Sequence, residues 1–259
     1  GTLSATTNYT VNLAGVIETS NFSTSFTESS LVDIPTLNLD IPNISIASIV
    51  LDTVNDELDF RVTSVTDMWS SRANAPIAWF ETPDVALGCK WSFETKVRVD
   101  GSSEGTSVSG ITFYNQQGGL PDFSFGINNW DGGFIHVQTL AGGRSGMGNY
   151  VGPTITPINN SLSAYLKAEI TENGANDMYQ FFYKYNQGDS WITLNPTLNS
   201  FYSYDRVGLF YKTGGQKSGT SFDDLLLSTN IGSASVTPLI LDLNHDSVRT
   251  LGTDAGLQY

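Results

Sequence analysis

Sulfur, histidine and positive charge are all scarce in this chain. One cysteine, Cys89, among 259 residues excludes an internal disulfide; a chain this long buries enough apolar surface to fold without such staples. Two histidines, His136 and His245, leave too few imidazoles for a zinc centre, and His136, beside Val137 on a strand-like run, reads as a half-exposed face residue. Twelve Lys and Arg stand against 26 Asp and Glu. That balance excludes nucleic acid as a partner, because phosphate binding needs a basic footprint. No apolar run approaches the ~18 residues of a membrane-spanning helix, so no membrane insertion is expected. Stretches rich in Ala or Leu with helical period are absent too. There is neither an initiator Met nor a signal peptide at the start, and the expectation is a monomeric segment of a longer chain.

What is present is aromatic residues, glycine and alternation. The stretch from Trp91 to Gln138 reads WSFETKVRV, SGITFYNQQGG and DFSFGINNWDGGFIHVQ. Trp91, Phe93, Thr95, Val97 and Val99 point one way, and Glu94, Lys96 and Arg98 the other, the period-two signature of a half-buried strand. Leu166, Ala168 and Ile170 alternate in the same way. A Glu172-Asn173-Gly174 turn leads into a run in which Tyr179, Phe181, Tyr183 and Tyr185 share a face. The fold expected is all-β, an antiparallel β-sandwich over residues 51–230, with an N-terminal β region or arm over 1–50 and a C-terminal calcium-loop segment over 231–259.

Hydrolysis of a glycosidic bond needs paired carboxylates facing a cleft. Glu94 stands alone among Lys and Arg, and Glu169 and Glu172 run into a turn. There is no Gly-x-Ser-x-Gly elbow and no His-Glu-x-x-His helix. A binding module, not an enzyme, is expected. Its strongest candidate is NNWDGG: Trp130 can stack on the apolar face of a sugar while Asn128, Asn129 and Asp131 meet its hydroxyls. The alternative is a hairpin tip whose Trp folds back on the sandwich. Asn115, Gln116, Gln117 and Asp122 belong to the loop before it and are expected to share the site. Trp69 with Arg72, and Arg144 with Tyr150, come next. Either arginine could instead pair with the carboxylate of a peptide ligand.

Eighteen of the acids are Asp and eight Glu, a bias that suits calcium, which takes carboxylate and amide oxygens; acidic charge also simply keeps a protein soluble. Asp52, Asn55, Asp56 and Asp59 crowd one turn, read either as an oxygen-donor cluster or as a solvated β-turn. Near the C-terminus Asp242, Asn244 and Asp246 have the one-three-five spacing of the first half of a calcium loop. Ser247 stands at its sixth position and Thr253 at its twelfth, so an EF-hand is not supported. A looser calcium loop or an Asx-turn is.

The block from about Asp52 to Ser228 resembles the lectin-like β-sandwiches of the concanavalin A-like jelly-roll type. The likeness rests on DMWSSRANAPIAW, WSFETKVRV, GITFY, FSFGINN, LKAEITENG and SFDDLLLS. It implies that Asp223 or Asp224 is a calcium ligand, partnered by the acidic turn at Asp52 and Asp56. The tail LILDLNHDSVRT resembles a segment of large RTX-type bacterial adhesins. That likeness implies an extracellular protein of the bacterial cell surface, loaded with Ca2+. It would bind a cell-surface glycan, or in the runner-up reading a peptide, in attachment and biofilm formation.

Overall fold

The computed structural model describes residues 21–66, 75–100, 107–115, 123–129, 133–139, 149–155, 161–174, 177–199, 204–214, 218–230, 241–243, 249–251 and 255–257. The chain divides into two units, Ser20–Asn230 and a second made of Gly1–Thr19 with Ile231–Tyr259. Apart from one 3-10 turn at Leu31–Asp33, the described elements of the larger unit are all strands. They are β1 (Asn21–Thr24), β2 (Asn38–Asp40), β3 (Ala47–Asp52), β4 (Glu57–Val62), β5 (Ile77–Glu81), β6 (Lys90–Asp100), β7 (Ser107–Tyr114) and β8 (Phe123–Asn128). There follow β9 (Phe134–Thr139), β10 (Asn149–Thr154), β11 (Ser161–Thr171), β12 (Met178–Lys184), β13 (Ile192–Asn199), β14 (Arg206–Thr213) and β15 (Ser218–Asn230). In the second unit β16 (Leu241–Leu243), β17 (Arg249–Leu251) and β18 (Ala255–Leu257) form a three-stranded antiparallel meander.

Two antiparallel sheets make the larger unit. One has eight strands in the order β13-β12-β11-β6-β15-β4-β3, with β1 also paired to β15; the other has seven, in the order β10-β9-β8-β7-β14-β5-β2. The alternation read in the sequence sets their facing sides. Trp91, Phe93, Thr95, Val97 and Val99 of β6 are buried, as are Leu166, Ala168 and Ile170 of β11 and Tyr179, Phe181 and Tyr183 of β12. Tyr185 lies beyond β12 and is exposed. Aromatic rings join the sheets: Phe113 of β7 meets Tyr179 edge-on at 5.2 Å, and Phe125 of β8 meets Phe181 at 4.8 Å. Pairs of this kind add ~0.5–1.5 kcal/mol each beyond the area they bury.

The division of the chain differs from the expected one at its start. Residues 1–50 are not one separate region. β1 pairs with β15, β2 with β5, and β3 begins at Ala47, so the chain is part of the sandwich from Asn21 onward. The stretch LNLDIPNISIASIVLD reads as strand in sequence and holds β2 and β3, whereas β1, four residues long, carries no periodic mark.

β15 is irregular for a reason that matters below. It pairs with β4 as far as Phe222, shifts register against β6 between Asp223 and Leu226, and then takes β1 as its neighbour from Leu225. Asp224 sits at this bulge with φ 49°, a left-handed conformation that Asp tolerates better than most residues.

Candidate functional site

The outward face of the seven-stranded sheet is unusual in chemistry. Register places Gln138, Ser124, Thr112, Gly208 and Trp79 in one row across β9, β8, β7, β14 and β5. The next row holds His136, Gly126, Gly110, Phe210 and Ile77. Phe134, Asn128 and Val108 begin a third. These positions alternate with Ile135, Val137, Phe125, Ile127, Ile111 and Phe113, which enter the core between the sheets, so they point away from it. The face is split. Toward β9 and β8 it is polar, while Ile77, Val108, Tyr114 and Phe210 form a separate apolar cluster with Trp79 against it.

On the polar half His136 and Gln138 are 5% and 8% exposed, yet the Nδ1 of His136 and the Oε1 of Gln138 have no hydrogen-bond partner among the described residues. A buried polar atom left unpaired costs ~1–3 kcal/mol. Burial pushes the pKa of His136 down from 6.5 to about 4, so the ring is neutral at physiological pH. The half-exposed position expected for this residue is therefore wrong: alternation gave its face correctly, but that face is itself covered. On the apolar half the Arg206 guanidinium lies 3.7 Å from the Trp79 ring centre and 5.7 Å from that of Tyr114.

The expected site residues fall at two ends of this sheet. Asn128 ends β8 on the outward face and is buried, and the Asn129 amide donates to the Ser107 carbonyl at 2.8 Å. Ser107 pairs with Thr213, and Thr213 bridges to Thr66. Thr66 begins the segment 67–74, which carries Trp69 and Arg72, so that segment starts at the Asn128–Asn129 end. Asn115 follows β7 at the other end, where its side-chain carbonyl accepts the Asp205 amide at 2.9 Å. Asn115 and the pair Asn128–Asn129 thus lie at opposite ends of the β7–β8 strand pair, so the described members of the expected joint site are not brought together. Trp69, Arg72, Gln116, Gln117, Asp122, Trp130, Asp131 and Arg144 themselves lie outside the described residues, as do Asn244 and Asp246. So do the side chains of Tyr150 and Asp242.

The described carboxylates expected to bind calcium are engaged locally. Asp52 accepts hydrogen bonds from the Val54 amide at 2.9 Å, the Asn55 amide at 3.2 Å and the Asn55 side chain at 2.9 Å. These hold its carboxyl below the ordinary range, the Asn55 side chain contributing most. Asp56 takes φ 56° in the same turn. Asp59 pairs with Arg61 at 2.8 Å, and Asp223 with Lys96 at 3.1 Å. Asp224 accepts from the Tyr165 hydroxyl at 3.2 Å. Among the described residues no three acidic, His or Cys side chains gather around one point. As placed, Asp52, Asp56, Asp223 and Asp224 are not gathered around one point, and the hydrogen bonds of Asp52 are those of a closed turn.

No family model and no curated protein matches this chain. Solved structures do. A bifunctional GH43-CE protein of Bacteroides eggerthii is 19% identical with a TM-score of 0.56, over 81% of this chain and 27% of that one. The chain thus spans little more than a quarter of that protein. A functionally unknown protein from Saccharomyces cerevisiae is 15% identical with a TM-score of 0.54, over 76% of this chain and 98% of that one. Winged bean acidic lectin, complexed with methyl-α-D-galactose, gives 11% and 0.48, over 83% and 100%. At such identities the likeness is one of fold. The larger unit is an antiparallel β-sandwich.

Proposed function

We propose that the chain is a lectin-like, carbohydrate-binding domain without catalytic activity, and that a saccharide is held at the Asn128–Asn129 end of the outward face of the seven-stranded sheet. The observation behind this reading is the split of that face. A sugar ring has an apolar side and a rim of hydroxyls that donate and accept hydrogen bonds. Trp79 and Asn129 are part-exposed, whereas Tyr114, Phe210, Thr112, Ser124, Asn128, His136 and Gln138 are buried behind them, so a ligand would meet the rim of this face and not its middle. Sites of this kind combine apolar surface with a few fixed polar groups. Trp130 and Asp131 follow Asn129 directly, and the segment of Trp69 and Arg72 starts at the same end. No Asp or Glu stands on this face in β7, β8 or β9, so the carboxylate pair that glycosidic hydrolysis requires is missing there.

The wider setting of this reading is a calcium-dependent RTX-type adhesin on the outside of a bacterial cell, used in attachment and biofilm formation. It rests on the Asp-rich composition and on Asp242, Asn244 and Asp246 in the tail. Calcium would neutralise and rigidify those loops. The test is a glycan array probed in calcium and again with a chelator. Signal on a defined sugar family, reduced in His136→Ala and Asn128→Ala proteins that remain folded, is expected. A blank array from folded, calcium-loaded protein overturns the reading in favour of a peptide ligand. Signal that persists in chelator removes calcium dependence alone.

A further inference from the structure

The opposite side of the sandwich carries a cleft that the reading above leaves unused. It has a volume of about 460 Å³, on the outward face of the eight-stranded sheet. The bulge in β15 and the chain leaving β1 create it, since β1 takes the place of β4 beside β15 there. Its lining includes Glu28, Glu94, Tyr165, Lys184, Trp191 and Asp224. Each of the strand residues among these occupies an outward position of the alternation that buries its neighbours.

The groups are arranged as mixed donors and acceptors around aromatic surface. The Lys184 ammonium stands 4.7 Å from the Trp191 ring centre and 5.1 Å from that of Tyr165, held by a 2.6 Å bond to the Gln187 carbonyl. Its partner across the strand pair is Tyr165, whose hydroxyl donates to one oxygen of Asp224. Glu94 lies opposite Lys167 on the neighbouring strand. Burial pushes its carboxyl up, partly offset by Lys167 and Lys184. Glu28 is tied to the Thr24 hydroxyl at 2.8 and 2.9 Å. The cleft therefore shows half-buried carboxylate oxygens, the Lys184 ammonium with that of Lys167 also at the Trp191 ring, and two partly exposed rings.

We propose that this cleft is a second saccharide-binding site, selective for uncharged or amine-bearing sugar rings and closed to acid sugars. Ring hydroxyls donate to Glu94 and Asp224 and accept from Lys184, while C–H edges rest on Trp191 and Tyr165. Glu28, Glu94 and Asp224 outnumber the two ammoniums at the Trp191 ring, Lys184 and, at 5.0 Å, Lys167, and with the net charge of −14 at long range this balance disfavours an anionic ring. The outward faces of two packed sheets point away from each other, so no single ring reaches both this cleft and His136. The domain would then hold two saccharide residues on opposite sides and could bridge glycan chains. This site stands on its own lining, independently of the His136 face.

Five tryptophans make fluorine NMR of the 5-fluorotryptophan-labelled chain a direct test, with the Trp191 signal assigned from Trp191→Phe. The probes are galactose, N-acetylglucosamine, glucosamine and glucuronate. A saturable shift of the Trp191 signal by at least one of the first three, with none from glucuronate, is expected. Glu94→Gln and Asp224→Asn each weaken it about tenfold, as loss of a charge-assisted hydrogen bond would. Both changes keep side-chain shape, and Asn tolerates the left-handed backbone at 224. The proposal fails if none of the first three sugars moves Trp191, if glucuronate moves it equally, or if both variants bind like the parent. An array signal unchanged in His136→Ala and Asn128→Ala, together with a Trp191 response, would sink the other reading and leave this one standing.

Discussion

Ser109 Oγ lies 2.7 Å from Thr220 Oγ1, a buried contact between hydroxyls that belong to different sheets. Thr220 also donates to the Arg98 carbonyl at 2.8 Å, which uses its only proton and makes Ser109 the donor across the core. The two substitutions are therefore unequal. Ser109→Ala removes one bond and leaves Thr220 paired, at a cost of about 1 kcal/mol. Thr220→Val orphans the Ser109 hydroxyl and the Arg98 contact together, for about 2–3 kcal/mol. Urea unfolding of both proteins measures the order, and the reverse order would show that the proton runs the other way.

Gly110 and Gly126 face each other across β7 and β8. A methyl group on Gly110 would lie 2.2 Å from the Phe125 carbonyl oxygen, and one on Gly126 would lie 2.1 Å from that of Ser109. Those atoms are sheet backbone and cannot give way. Gly110→Ala and Gly126→Ala are each expected to cost about 3 kcal/mol or more, or to prevent folding. Gly188→Ala, where nothing lies within 4 Å, should melt within a degree or two of the parent. Equal melting temperatures for all three would contradict the close approach.

His136 titrates near 4 in the folded chain and near 6.5 unfolded, because burial penalises its charged form. A lowered pKa means that the unfolded chain binds the extra proton first. Stability is then full above about pH 6.5, declines as pH falls toward 4 and loses nothing further from this group below that. The shift sets an upper limit of ~3 kcal/mol. Denaturant midpoints for the parent and His136→Gln between pH 4 and 7 should diverge, the variant showing the flatter profile. Parallel profiles would mean that the imidazole is hydrated.

The alternation of β6, β11 and β12 was legible because a period of two leaves a regular mark on ten residues. Its pairing was not. The runs at Trp91 and at Gly110 follow each other in sequence, yet β6 and β7 belong to different sheets, and periodicity carries no information about which strand is a neighbour. The same gap hid the cleft at Trp191: Glu94, Tyr165 and Lys184 meet through the pairing of β6, β11 and β12, and Asp224 joins them at a bulge that no local pattern announces. For Asp52 the turn and the metal reading used the same residues, and only the direction of its hydrogen bonds distinguishes them.

Asp52 gives the last prediction, since its carboxylate closes its own turn. Asp52→Asn keeps an oxygen for the Val54 amide and should destabilise less than Asp52→Ala. The carboxyl is held below its ordinary 3.8, so its contribution is present above that pH and fades as pH falls through the lower folded value. Because the turn uses the carboxylate internally, neither variant should change the rise in melting temperature that calcium produces. Asp242→Asn with Asp246→Asn should reduce that rise, if the tail is the calcium segment. Thermal melts of the four proteins with calcium and with chelator decide between the two turns. A calcium response lost in Asp52→Asn would return the β3–β4 turn to the metal sites and make its present hydrogen bonds the metal-free arrangement of the loop.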